Sequence, residues 1–220
     1  MNKILDGLNP PQKEAVQHTE GPILILAGAG SGKTRVITHR MAFLIEKGIP
    51  SRQILGVTFT NKAAGEMRRR VVRLSGIRGE GVFISTFHSF CARLLRADID
   101  KIDGNPYFAI YDESDQQDIV KDCLRELDLD PKQFIPAIMV ELISRAKDSL
   151  MDAENYISSV PPQHHFEKVT GEVYRIYQKK IEKNGGLDFG DLLMKTVVML
   201  KKRKDVLEKY QERFRYIMVD

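Results

Sequence analysis

The chain has 220 residues, 42% hydrophobic and 29% charged, a balance that excludes a largely disordered protein and allows one large or two small domains. The longest apolar run, residues 23–27 (Ile-Leu-Ile-Leu-Ala), is too short to span a membrane, and Asp6, Asn9 and Pro10-Pro11 interrupt any secretory leader. Cys91 and Cys123 imply no disulfide framework, so a reducing cytoplasm is the expected compartment. The net charge of +4 is uneven, with 15 basic and 8 acidic residues in 1–100 against 19 and 22 in 101–220. The basic excess gathers between Lys62 and Arg96; from charge alone a solvated helix surface is favoured over a nucleic-acid site.

In chain order, Asn9 reads as an N-cap followed by Pro at the first helical turn, opening a short helix through Val16 that Gly21-Pro22 breaks. Residues 23–27 read as a buried strand, followed by a glycine-rich turn and an amphipathic helix over 33–46 that Gly48 ends. The rhythm repeats: a strand over 54–59 with Thr60 capping a helix over 61–74, then a strand over 82–85 with Thr86 capping a helix over 87–96. Alternation of apolar strands and helices predicts a parallel sheet covered on both faces. From Asp112 to about Asn184 the pattern is almost wholly helical, with segments through 127, to about 147 and over 164–183. After one more helical stretch, residues 216–219 form an apolar strand ending on Asp220. The organisation expected is an α/β core interrupted by an all-α insertion, without internal repeats.

The chemical centre is Ala27-Gly28-Ala29-Gly30-Ser31-Gly32-Lys33-Thr34, a phosphate-loop pattern with Ala27 at the usual first glycine. Gly28, Gly30 and Gly32 permit left-handed angles, so successive N–H groups can surround a phosphate at a helix N-terminus. Lys33 is expected to reach the β- and γ-phosphates and Thr34 to offer its hydroxyl to Mg²⁺. Asp220, at the end of an apolar strand, is the second acid for that metal. A flexible glycine-rich loop is the bland alternative; the strand before and the helix after it weigh against that.

At this point the residues resemble superfamily 1 DNA helicases of the UvrD/Rep/PcrA type. The resemblance runs along the whole chain: Leu8-Asn9-Pro10-Pro11-Gln12, the phosphate loop with Arg35, Thr58-Phe59-Thr60-Asn61-Lys62-Ala63-Ala64, and Ser85-Thr86-Phe87-His88-Ser89-Phe90. Leu187-Asp188-Phe189-Gly190-Asp191-Leu192-Leu193 is similar to the next family motif, with Gly190 where an acidic residue is common, and 216–220 resembles the start of an Asp-Glu box.

The resemblance implies a RecA-like P-loop NTPase fold, with core residues 1–105 and 186–220 and an α-helical insertion over 106–185. It implies ATP and Mg²⁺ as cofactors and a nucleotide site of Gln12, Gly28, Ala29, Gly30, Ser31, Gly32, Lys33, Thr34 and Arg35. In it Lys33 and Asp220 are catalytic, and Thr34 and Asp220 hold the metal. Gln12 would read the adenine edge, the alternative being an exposed helix residue. Phe59, Thr60 and Asn61 would meet single-stranded DNA, alongside a cap role for Thr60 and a core role for Phe59. His88 would be a DNA-side or coupling residue, or a histidine packed at a helix start. Phe189 would form a base pocket, or be an ordinary core aromatic. Arg68, Arg69, Arg70 and Arg73 are expected to be a solvated face.

The implied activity is ATP-dependent 3′-to-5′ translocation on single-stranded DNA, with unwinding at single-strand/duplex junctions, in repair or replication. The chain reads as an N-terminal part, lacking the acid after Asp220 and a second RecA-like domain, and so as nearly inactive alone. The alternatives are the helicase portion of a recombination helicase–nuclease, a small-molecule kinase and a non-catalytic nucleotide- or DNA-binding module.

Overall fold

The computed structural model describes residues 4–76 and 81–220. Strands are β1 (Ile54–Thr58), β2 (Phe83–Thr86), β3 (Ala109–Tyr111), β4 (Gly186–Asp188) and β5 (Tyr216–Val219). The chain divides into two compact units, Met1–Phe90 with Leu207–Asp220, and Cys91–Val206.

In the first unit β1 is central, flanked by β2 and β5, and both pairings are parallel. The register places Leu55 beside Phe83 and Ile217, and Gly56 beside Ile84 and Met218. Successive residues of a strand face opposite sides, so Ile54, Ile84 and Met218 share one face. Helices α1 (Pro10–Gln17), α2 (Lys33–Glu46) and α3 (Asn61–Ser75) open the unit. Met41 and Leu44 of α2 and Ala64, Met67 and Val71 of α3 build a core on that face. On the other face Phe83, Phe90 and Phe214 meet edge to face with ring centroids 5.6–5.7 Å apart. Phe90 lies on α4 (Phe87–Asp98).

Local chemistry sets these boundaries. Asn9 and Gln12 form a reciprocal capping box at α1, with proline at its first turn. Thr60 accepts the Ala63 N–H at 3.1 Å and starts α3.

The strand expected over residues 23–27 is not formed. Ile25 is half-buried against the cluster of Val16, Val36 and Ala42, whereas Leu24 and Leu26 are 81% and 85% exposed. The segment docks one side onto α1 and α2 and, among the described residues, pairs with no strand. On the outer strand β5, Ile217 and Val219, which share the face opposite Met218, are 62% and 55% exposed.

The second unit contains α5 (Glu113–Glu126), α6 (Pro136–Asp148), α7 (Ala153–Ser159), α8 (His165–Lys183) and α9 (Phe189–Lys202). Val120, Leu124, Met139, Ile143, Tyr174 and Ile181 are among its fully enclosed core. The insertion expected to be all-α over 106–185 carries a short strand near its start, because β3 pairs in parallel with β4. A final helix, α10 (Lys204–Arg213), precedes β5.

Candidate nucleotide and nucleic-acid site

The carboxyl ends of β1, β2 and β5 lie side by side, because Val57 registers with Val219 and Thr58 with Thr86. Open parallel sheets place ligands at this end. Asp220 continues β5 by donating its N–H to the Val57 carbonyl at 2.9 Å. Its side chain meets Thr34 at the start of α2: Thr34 Oγ1 lies 3.0 and 2.9 Å from the two carboxylate oxygens. Two residues 186 positions apart thus form one oxygen-rich pair at a helix N-terminus.

Of the three loop glycines, Gly30 (φ 77°) and Gly32 (φ 93°) use the left-handed region and Gly28 does not. Gly32 occupies the N-cap of α2 and supplies no side-chain cap, so the first N–H groups of α2 keep no side-chain partner there. Lys33 folds back into the loop and donates to the carbonyls of Ala27 (2.7 Å) and Gly28 (2.8 Å). Ser31 Oγ donates to the Gly28 carbonyl at 2.7 Å. The loop is thereby closed on its own lysine.

Gln12 spans two tasks. Its Oε1 accepts the Asn9 N–H at 3.1 Å, and its Nε2 donates to the Ser31 carbonyl at 3.1 Å. One N–H and one lone pair of the amide are left over. A pocket of 190 Å³ opens beside it, lined by Pro11, Ile25, Lys33 and Val36 among others. Arg35 is exposed, and its guanidinium packs against the turn at Gly7, where a Cβ would come within 3.0 Å of Nη2. Arg40, which the sequence reading passed over, is buried and donates to the Ala15 carbonyl at 2.9 Å, tying α1 to α2. Burial holds its guanidinium below the usual arginine range, partly offset by Tyr216 and Glu20.

The strand-end residues of β1 and β2 form a second cluster. Phe59 is 76% exposed rather than in the core, with its ring 5.4 Å from that of Phe87 and tilted by 50°. Thr60 caps α3 while exposed, Asn61 follows it, and half-buried His88 sits in the first turn of α4 beside Phe87. Thr86 Oγ1 accepts the Ser89 N–H at 3.2 Å and braces that turn. Arg69 and Arg73 are exposed; Arg70 pairs with Glu66, and Arg68 reaches the Ile84 carbonyl.

Phe189 lies in the second unit, at the first position of α9, and is 44% exposed. The residues around it form a buried ionic cluster that the sequence reading missed. Lys147 lies 2.6 Å from Asp188 and 2.9 Å from Asp191, all three being at most 3% exposed. Burial raises the Asp191 carboxyl above its ordinary range, against the pull of Lys147. Two signals could have found this cluster. Asp188-x-x-Asp191 is a capping-box spacing, and Lys147 falls in phase with buried Met139, Val140, Ile143 and Ala146 on α6.

Residues 8–220 match the model of the UvrD/REP helicase N-terminal domain. The chain is 49% identical over its whole length to the ATP-dependent DNA helicase PcrA of Bacillus subtilis. It is 44% identical to the ATP-dependent DNA helicase PcrA of Staphylococcus aureus and 43% to that of Staphylococcus epidermidis. In each case the whole chain is covered, and it spans 30% of the relative's length.

Proposed function

Because the chain belongs to the UvrD/REP helicase family through its N-terminal domain, we propose that it supplies the ATP-binding part of an ATP-dependent 3′-to-5′ DNA helicase or translocase of repair or replication. The observation that carries this reading is the Thr34–Asp220 pair beside the phosphate loop. A hydroxyl and a carboxylate are hard oxygen donors and suit Mg²⁺. The N-terminus of α2, which has no side-chain cap, and the glycine turns suit the phosphates of ATP. When bound, Mg²⁺ neutralises charge on the β- and γ-phosphates.

Lys33 exchanges two loop carbonyls for phosphate oxygens, so the loop opens as its lysine turns outward. Gln12 offers its spare donor and acceptor to the adenine edge, next to the Ile25 and Val36 wall. Gly28, Ala29, Gly30, Ser31 and Gly32 line the phosphates, and Arg35 borders the pocket. Lys33 and Asp220 are the catalytic pair of this chain.

On the DNA side, Phe59 presents a stacking face, Thr60 and Asn61 offer polar contacts to sugar and phosphate, and His88 flanks them. Phe189 contributes a base contact. Residues 106–185 are the proposed helical insertion into a RecA-like core of 1–105 and 186–220, and they lie within the wider second compact unit, Cys91–Val206. The self-contained core of Val120 to Ile181 supports this, as does the β3–β4 ladder where the segment leaves and returns. The partners are single-stranded DNA, single-strand/duplex junctions and a second RecA-like domain, in the cytoplasm. Intact Lys33, Thr34 and Asp220 favour this over a non-catalytic module.

The test of the DNA half is fluorescence anisotropy of a labelled oligothymidylate with wild type and Phe59→Ala. Because Phe59 is 76% exposed, its removal should change stability by less than about 0.5 kcal/mol. Affinity should fall by about 1–3 kcal/mol, the worth of one stacked base. Equal affinity in both proteins removes Phe59 from the DNA contact.

A further inference from the structure

We propose that Lys147 is a positioning residue for Phe189, fixing through Asp188 and Asp191 the helix turn that presents this ring to a DNA base. The inference rests on the base-contact reading of Phe189 given above.

The geometry is that of a clamp. Asp188 caps α9: its Oδ1 accepts the Asp191 N–H at 2.8 Å, and Asp191 Oδ2 accepts the Asp188 N–H at 3.3 Å. Phe189 and Gly190 are the two residues between these caps. Lys147 Nζ, from α6, donates to Asp188 Oδ2 at 2.6 Å and lies 2.9 Å from Asp191 Oδ1, so one ammonium holds both ends of the turn. α8 completes the clamp. Tyr177 OH donates to Asp188 Oδ2 at 2.8 Å, and Gln178 Nε2 donates to Asp191 Oδ1 at 3.2 Å. The Lys147 ammonium also lies 5.6 and 5.3 Å from the ring centroids of Tyr174 and Tyr177.

Two features separate this cluster from an ordinary buried ion pair. Apolar residues in place of a whole buried ion cluster often pack with no loss of stability, so stability alone does not call for these three charges, although removing Lys147 by itself leaves two buried carboxylates without their cation. Charge-assisted hydrogen bonds are directional, and these converge on the one turn that carries an exposed aromatic ring. Gly190 also accommodates the clamp, because a Cβ there would lie 2.9 Å from Lys147 Cβ and Cδ. The glycine that departs from the family motif thus makes room for the lysine stem.

The experiment compares affinities for a short oligothymidylate and for an abasic oligomer of equal length, each over a range of salt. Wild type is set against Phe189→Ala, Lys147→Met and Tyr177→Phe, with circular dichroism monitoring the fold. Wild type should prefer the oligomer with bases, and Phe189→Ala should lower that preference by roughly five-fold or more, the worth of one stacked base. Lys147→Met and Tyr177→Phe should lower it in the same direction while the salt slope, which reports phosphate contacts, stays unchanged. Lys147→Met should add nothing further in the Phe189→Ala background. A merely structural Lys147 would weaken both oligomers in parallel or neither. If Lys147→Met does not fold, the milder Tyr177→Phe decides alone. An unchanged preference in Tyr177→Phe, and in Lys147→Met where it folds, beside a reduced one in Phe189→Ala overturns the positioning role. No base preference in wild type, or its persistence in Phe189→Ala, removes the base-contact reading and this inference with it.

Discussion

The phosphate loop offers a graded test, because its three glycines are alike in sequence and different in structure. At Gly28 the backbone is outside the left-handed region and an added Cβ meets nothing within 4 Å. Gly28→Ala should therefore be neutral, or stabilising by up to about 1 kcal/mol through a less flexible unfolded chain. At Gly30 the space is also open but φ is 77°, so alanine should cost about 1–2 kcal/mol of left-handed strain. At Gly32, φ is 93° and the new Cβ would sit 3.1 Å from Gln12 Nε2. Gly32→Ala adds to the strain the loss of the Gln12 to Ser31 hydrogen bond, itself worth about 0.5–1.5 kcal/mol, for a total of about 1.5–3.5 kcal/mol. Urea denaturation followed by far-ultraviolet circular dichroism reads the series, since the chain has no tryptophan. A Gly28→Ala protein as unstable as Gly32→Ala would refute the loop conformation on which the site is built.

Three further outcomes follow from packing, helix propensity and burial. Gly190→Asp should destabilise by about 1–3 kcal/mol, because its Cβ meets the Lys147 stem at 2.9 Å and Lys147 is tethered at its far end. Gly65→Ala, in the open interior of α3, should stabilise by about 1 kcal/mol in the same urea denaturation. Burial pushes the Cys123 thiol from an ordinary 9.0 up to about 11. Because the folded value is the higher one, this contribution to stability is present below pH 9 and lost as pH rises towards 11. Cys123→Ala should flatten that part of the stability profile, and a thiol reagent at pH 8 should label native Cys123 only on unfolding.

Much of this architecture is legible in the residues because local and global signals agree. The strand over 216–219 and the helix over 33–46 coincide with β5 and α2, where apolar patterning and glycine or proline punctuation point the same way. The run over 23–27 misled because apolar composition records a propensity to be buried, whereas a strand needs a neighbour in register. Here Ile25 found its burial against α1 and α2 without pairing. Of the two readings of Phe59, a DNA contact or a core aromatic, the exposed ring does not fit the second, because the chain turns into the Thr60 cap there and leaves the ring outside. The phosphate loop and Asp220 were legible because their spacing encodes chemistry; their approach within 3 Å is set by the parallel register of β1 and β5. Lys147 was hidden because its partners lie 41 and 44 positions away, a pairing that periodicity does not report.

Lys33, Thr34 and Asp220 are proposed to form a Mg-nucleotide site. This site is tested most directly by the thermal-unfolding shift with Mg-ATP in wild type and Lys33→Ala. Ligand at about 100 times its Kd should add roughly 2.7 kcal/mol of stability to wild type, and the shift should vanish in the variant. An equal shift in both proteins, or none in wild type, contradicts the site.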